Sequence, residues 1–236
     1  LSIMAKDHSI TYRRLRLRNI PHIKRLNDIK ALISSLKVPP GGSYADFGCS
    51  NGYVTDQVRQ LVRAAHTIGF DHLDEHFEEG RRRHPELEFA TIDLNRFDAT
   101  RPQFDFVTCF ETLEHTGNLG NALRNVVHAV RPGGIGVISV PVEVGFAGIV
   151  KFFVKVGLYG YTLKELPQRP SLRRDYVMAL MKGERIGKFR SESRSHWGTH
   201  FGFDTRDVDD LLAQEPVNVS ASNRGFTRFW VIRRPA

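Results

Sequence analysis

Two short stretches hold the side chains that could do chemistry. In "YADFGCSNGYVTDQV", residues 44–58, an apolar run ends on Asp46, and Gly48, Ser50 and Gly52 follow before a helical pattern begins. A glycine-rich turn between strand and helix lets a ligand approach the backbone and offers it free N–H groups. The spacing is not that of a Walker loop, which needs Gly-Lys-Ser/Thr, nor that of a G-x-G-x-x-G dinucleotide turn. An acid two positions before the first glycine would repel a pyrophosphate and suits a ligand with a cationic group. Taken alone, the stretch is also compatible with a plain strand-to-helix turn.

The second stretch is "CFETLEHTGN", where Glu111, Glu114 and His115 fall within five positions. If the segment turns helically, the three share a face. Two carboxylates and an imidazole suit Mg²⁺, Mn²⁺ or Zn²⁺. Without a metal, the histidine is a base or a structural group. Far downstream, "SHWGTHFGFDTRDVDDLL" adds His200 as a fourth ligand or a base, and His196 as an exposed loop histidine. For any one of these histidines alone, packing and hydrogen bonding is the blander role.

Two further acids close strand-like runs. Asp71 ends "HTIGFD", where a carboxylate can accept from ribose hydroxyls, or else cap a helix. Asp93 sits in "TIDLN", a site role or a turn acid.

These residues need a scaffold, and the periodicity supplies one. Apolar positions 26, 29, 32, 33 and 36 predict a helix that Pro39, Pro40, Gly41 and Gly42 stop. Strands are expected at "SYADFG", "HTIGFD", "LEFATIDL", "FDFVTCF" and "GIGVISVP", with helices at "YVTDQVRQLVRA", "LDEHFEEGRRR" and 119–130 between them. Strands alternating with helices from 43 to 141 predict a parallel sheet with crossover helices. Residues 142–200 break the rhythm with apolar, aromatic and basic residues, and read as an insertion covering the site. A helix, "DTRDVDDLLAQ", and two strand-like runs, "VNVSAS" and "FTRFWVIRR", follow and are expected to pair as a hairpin.

The first stretch resembles motif I of the class I S-adenosylmethionine-dependent methyltransferases, D/E-x-G-x-G-x-G. Asp46, Gly48 and Gly52 match, and Ser50 stands where the middle glycine usually sits. "LRNVVHAVRPGGIGVISVP" resembles the family's helix, Pro-Gly-Gly turn and fifth strand, so the resemblance spans about residues 40–141. It implies an α/β fold: a Rossmann-like, doubly wound, mostly parallel seven-stranded sheet with an antiparallel C-terminal strand and a lid insertion. It implies S-adenosylmethionine as cofactor, with Asp46, Gly48, Ser50, Gly52, Asp71, Asp93, the amide of Leu94, and Phe110 on the cofactor side. The E-x-x-E-H string and Gly198-Thr199-His200 are similar to those of ubiquinone-type O-methyltransferases, which implies Glu111, His115 and His200 as catalytic residues. A related layout in small-RNA 2′-O-methyltransferases of the Hen1 type holds a divalent metal. There the carry-over is Glu111, Glu114, His115 and His200.

The bulk numbers bound the rest. The 236 residues, 41% hydrophobic and 25% charged, fit one large domain with an insertion. The expected division is a basic helical segment over 1–40 and a methyltransferase domain over 41–236. Residues 1–40 hold nine Lys or Arg against two Asp, and the whole chain carries +8. That surface favours an anionic partner such as RNA or an anionic membrane face. Two cysteines without metal or disulfide spacing fit a reducing, cytoplasmic compartment, and the N-terminal stretch turns charged too soon for a secretory signal. The lysine-interrupted "VGFAGIVKFFVKVGLYGY" predicts a buried lid helix, or one lying on a membrane surface, rather than a spanning one. Three functions follow as candidates: methylation of a hydroxyl on a small molecule such as a phenolic quinone precursor, a sugar or a secondary metabolite; RNA 2′-O-methylation; and a non-catalytic scaffold of the same fold.

Overall fold

The computed structural model of the chain describes residues 9, 12, 16, 19–100, 102–142, 170–190 and 202–236, with backbone alone over 170–173. Helix α1 (Ile20–Ser35) opens with a proline in its first turn and turns Leu26, Ile29, Leu32 and Ile33 inward. Then come β1 (Ser43–Phe47), α2 (Tyr53–Val62), β2 (His66–Asp71), α3 (Phe77–Arg83) and β3 (Glu88–Thr91). β4 (Phe104–Phe110) leads through a 3₁₀ turn (Leu113–His115) to α4 (Leu119–Ala129) and β5 (Val130–Pro141). α5 (Pro170–Lys182), a second 3₁₀ turn (Gly187–Phe189), α6 (Thr205–Leu212), β6 (Asn218–Arg224) and β7 (Thr227–Arg233) complete the described elements.

The seven strands form one sheet in the order β3-β2-β1-β4-β5-β7-β6. β1 to β5 pair in parallel, and β7 runs antiparallel to both β5 and β6. The expected seven-stranded doubly wound sheet is therefore the observed one. Strand order reverses between β1 and β4, and ligands bind such sheets in the crevice at the strands' carboxyl ends there. β5 starts earlier than expected, because the Pro-Gly-Gly turn is absorbed as an irregularity in its pairing with β4.

Side chains alternate along each strand, so neighbours feed opposite faces. Phe47, Val107, Ile138 and Trp230 enter the core under α4 and α6. Tyr44, Phe106, Val137 and Phe229 enter the core that α1 and α2 cover. Each fully buried large side chain contributes about 1.5–3 kcal/mol relative to exposure. Ile29, Leu32 and Ile33 belong to that second core, so α1 is an integral layer of the domain. The division expected at residue 41 does not separate two bodies here, because the apolar stripe of α1 has its partner in the sheet.

The described part of the insertion makes its own small core from Tyr176, Ala179, Leu180 and Ile186. Asp204, the N-cap of α6, ties it down by accepting from the backbone N–H of Ile186 at 3.0 Å. Residues 143–169 and 191–201, which include the apolar run, His196 and His200, lie outside the described residues.

Candidate functional site

The turn after β1 is built around residues with no room to vary. Gly48 (φ +90°) and Gly52 (φ +76°) lie in the left-handed region that favours glycine. A β-carbon on Gly52 would stand 2.8 Å from the Phe89 ring. Ser50 occupies the same backbone region at φ +50°, so serine there adopts the conformation the usual glycine would supply. Its N–H donates to Asp71 Oδ2 at 2.8 Å, which fastens the turn to the end of β2.

Asp46 is buried beneath this turn. Thr55 donates to its Oδ2 at 2.5 Å and Thr108 to its Oδ1 at 2.6 Å. Burial pushes its pKa up to about 6 against those two hydroxyl bonds, and the charge on Asp71 adds to the rise. Asp46 lines a cavity of about 80 Å³ together with Tyr12, Arg25, Ser50, Phe110 and Glu111. Arg25 reaches it from α1 and pairs with Glu111 at 2.9 Å. Tyr12 stacks on Tyr53, ring centroids 5.7 Å apart, at the same cavity.

Two buried polar atoms on the cavity-lining residues meet no hydrogen-bond partner among the described residues: Arg25 Nε, a donor, and Ser50 Oγ. A buried donor left unmade is costly, and both atoms belong to residues that line the cavity. The Asp46 carboxylate, with no cation paired to it among the described residues, beside an unfilled guanidinium edge, is complementary to a zwitterion. The amino-acid end of S-adenosylmethionine carries that pairing of ammonium and carboxylate, and the residues present fit it.

The other expected residues divide. Asp71 Oδ1 accepts from the His72 N–H at 2.8 Å. Asp71 is not a helix cap, since α3 starts later and is preceded by His76. Asp93 accepts from the amide N–H and side chain of Asn95 at 3.0 and 3.1 Å, which is the geometry of a turn acid. Leu94 is fully buried in the core, and its carbonyl holds Asn125. Phe110 lines the cavity.

Glu111, Glu114 and His115 do not share a face. Glu111 has φ +52°, which breaks any helical turn before Leu113. Glu114 is fully buried in the 3₁₀ turn, while Glu111 lines the cavity. Among the described residues, the trio that brings three ligand atoms together is Asp56, His84 and Glu86 instead. There Arg59 already supplies the cation, at 2.9 Å from Asp56 and 2.7 Å from Glu86. The observed geometry of Glu111, Glu114 and His115 therefore does not fit a metal held by the three, and His200 falls outside the described residues.

The sequence reading missed Arg25, Tyr12 and the threonines at 55, 108 and 112. Arg25 did leave a signal: it sits four residues before Ile29 and seven before Leu32, a cation on an otherwise apolar stripe.

Residues 45–134 match the family model described as a methyltransferase domain. A ubiquinone biosynthesis O-methyltransferase of Aeromonas salmonicida is 32% identical over 99 residues, 40% of this chain and 41% of that protein. A probable S-adenosylmethionine-dependent methyltransferase of Mycolicibacterium smegmatis is 24% identical over 107 residues, 45% of this chain and 41% of that protein. The chain thus spans about two fifths of the length of these curated relatives. Among solved structures, the magnesium protoporphyrin IX methyltransferase of Synechocystis with S-adenosylhomocysteine superposes with a TM-score of 0.61. It is 14% identical, over 96% of this chain and 92% of that one. An N-methyltransferase of Bradyrhizobium japonicum, also with S-adenosylhomocysteine, gives 0.58 at 15% identity over 99% and 95%. Residues 45–134 thus carry a methyltransferase domain, and the chain shares the fold of these solved methyltransferases. No helix among the described residues is long and apolar enough to cross a membrane.

Proposed function

We propose that this chain transfers a methyl group from S-adenosylmethionine to a hydroxyl on a small molecule. The observation that carries the reading is the buried Asp46 carboxylate facing one cavity with the unfilled Nε edge of Arg25. When bound, the cofactor supplies a methyl carbon on a sulfonium. Asp46 takes its ammonium and Arg25 its carboxylate. Asp71 takes the ribose hydroxyls through Oδ2, which accepts from the Ser50 N–H while Oδ1 is held by the His72 and Leu73 N–H groups. Asp93 and the amide of Leu94 face the adenine amino group, and Phe110 packs against the nucleoside.

On the acceptor side, the hydroxyl oxygen must lie about 3 Å from the methyl carbon, in line with the bond that breaks. The cofactor's sulfonium would supply the methyl group to the acceptor oxygen and keep the electron pair of the C–S bond. His115, half-buried four residues after Glu111, or His200 receives the acceptor's proton. The insertion bears on this side: Arg190 donates to the carbonyls of Glu114 and Thr116, and its guanidinium lies 5.1 Å from the Phe203 ring. We assign residues 142–200 to covering the acceptor. Hydroxyl acceptors are favoured because relatives about 30% identical over 40% of this chain are named ubiquinone biosynthesis O-methyltransferases. No observation among the described residues favours RNA or a scaffold role over this one.

Calorimetry with S-adenosylmethionine and S-adenosylhomocysteine, with and without Mg²⁺, Mn²⁺ or Zn²⁺, tests the cofactor half. Binding without metal is expected, followed by methyl transfer to hydroxylated small molecules in a labelled-cofactor screen. A folded protein that binds neither nucleoside would sink the reading.

A further inference from the structure

The chain leaves β4 at Glu111 in the left-handed region, φ +52°, where a residue with a β-carbon is strained. The surrounding structure fixes that conformation. The Glu111 N–H donates to the Ser139 carbonyl at 2.9 Å, and Ser139 Oγ donates to Glu111 Oε1 at 3.3 Å. The other carboxylate oxygen, Oε2, meets the Arg25 guanidinium at 2.9 Å. Both side chains are mostly buried, 17% and 16% exposed. The backbone is thus bent out of helical geometry at the position that sets a carboxylate against Arg25.

A guanidinium is a rigid fork of five donors. Glu111 occupies one terminal nitrogen of Arg25. Nε is buried and meets no acceptor among the described residues, and Arg25 shares its cavity with Asp46 and Ser50. A fork anchored on one edge is oriented on the other. An anchored Arg25 also separates the Glu111 charge from any anion entering the cavity. Without that screen, Glu111 would repel the carboxylate the site must accept.

We propose that Glu111 is a positioning residue for the cofactor's amino-acid end, acting through Arg25, rather than the catalytic residue or metal ligand that the resemblance implied. The proposal rests on the cofactor reading above and deepens it. It predicts a selective effect. Ligands with the amino-acid end should sense Glu111, and ligands with the nucleoside and sulfur alone should not.

The test compares S-adenosylhomocysteine with 5′-methylthioadenosine, which lacks the amino-acid end, by calorimetry on the full chain. Wild type, Glu111→Gln, Glu111→Asp, Arg25→Lys and the double variant Glu111→Gln/Arg25→Lys are measured, each with its melting temperature. Glu111→Gln and Arg25→Lys are expected to weaken S-adenosylhomocysteine about tenfold or more and leave 5′-methylthioadenosine within about twofold. The double variant is expected to be no worse than the weaker single one, because both remove one interaction. Glu111→Asp, which keeps the charge, is expected to recover part of the affinity. Unchanged S-adenosylhomocysteine affinity in Glu111→Gln would overturn the proposal and return Glu111 to the acceptor side. An equal loss for both ligands would overturn it in favour of a merely structural role. A wild-type protein that binds neither ligand would overturn the cofactor reading itself, an outcome visible before any variant is made.

Discussion

The Thr112 hydroxyl occupies the space where a β-carbon on Gly48 would stand: the built separation is 1.9 Å, and the threonine methyl would be 2.8 Å away. Thr112 cannot readily withdraw, because its hydroxyl donates to the carbonyl of Phe110 at 3.0 Å. The contact locks the turn after β1 to the loop after β4, the two sides of the crevice.

Gly48→Ala is therefore expected to cost about 3 kcal/mol or more, from overpacking added to a left-handed backbone. Urea unfolding measures it. Adding Thr112→Ala should return the overpacking part and leave about 1 kcal/mol for the backbone. A Gly48→Ala protein as stable as wild type would show that the contact is not a constraint.

Asp46 sets a pH dependence. Its pKa in the empty site is about 6, above the usual aspartate value, because burial disfavours its charge. Cofactor affinity should thus fall as pH drops through 6, by up to about tenfold per pH unit well below it, as a proton competes with the ammonium. Stability of the empty protein runs the other way: this group's contribution is full below its unfolded pKa and is lost as pH rises through about 6. Calorimetry between pH 5 and 8 checks the first, and Asp46→Asn should bind weakly at every pH.

Asp71 holds the Ser50 N–H, and we assign it the ribose as well. Asp71→Ala should weaken S-adenosylhomocysteine by at least about 1 kcal/mol through lost charge-assisted bonds. Adenosine alone should lose affinity to a similar extent, since the contact is to the nucleoside. Unchanged affinity for both would remove Asp71 from the site.

Asp204 fastens the described part of the insertion to α6. Burial pushes its pKa up, but bonds from Arg206 and from the Ile186 N–H outweigh that and hold it below the usual range. Its stabilisation is accordingly present above the ordinary aspartate pKa and is lost as pH falls through the lowered one. Asp204→Ala leaves the Ile186 N–H and the Arg206 Nε without their acceptor and should cost about 2–4 kcal/mol. Limited proteolysis should then cut within 183–190 before the sheet is attacked.

The sheet was legible because a strand buried on both faces alternates with amphipathic helices, a pattern that depends on local sequence. Asp46, Gly48 and Gly52 were legible for the same reason: the turn is contiguous. Arg25 was not, because its partner Glu111 is far away in sequence and the two meet only once α1 packs on the sheet. The loop after β4 was misread in shape. A helical spacing was assumed for Glu111, Glu114 and His115, and one positive φ at Glu111 turned the first away from the other two. No sequence pattern announces a non-glycine residue in that region; it is fixed by Ser139 and Arg25, which are tertiary neighbours. The role of Asp93 was ambiguous in sequence, and its Oδ1 accepts twice from Asn95, as a turn acid does.

Helix α1 bears on how such proteins are cut and recombined. The segment that matches the methyltransferase family starts at residue 45, yet Arg25 and Tyr12 line the cavity from upstream of it. A fragment trimmed to the matching residues would keep the glycine turn and lose the guanidinium, and it would expose the sheet face that Ile29 and Ile33 cover. Grafting the 45–134 segment onto another sequence would carry Asp46, Ser50 and Glu111 and leave Arg25 and Tyr12 of the same cavity behind. The cavity therefore depends on residues upstream of the matching segment, Arg25 of α1 and Tyr12 before it.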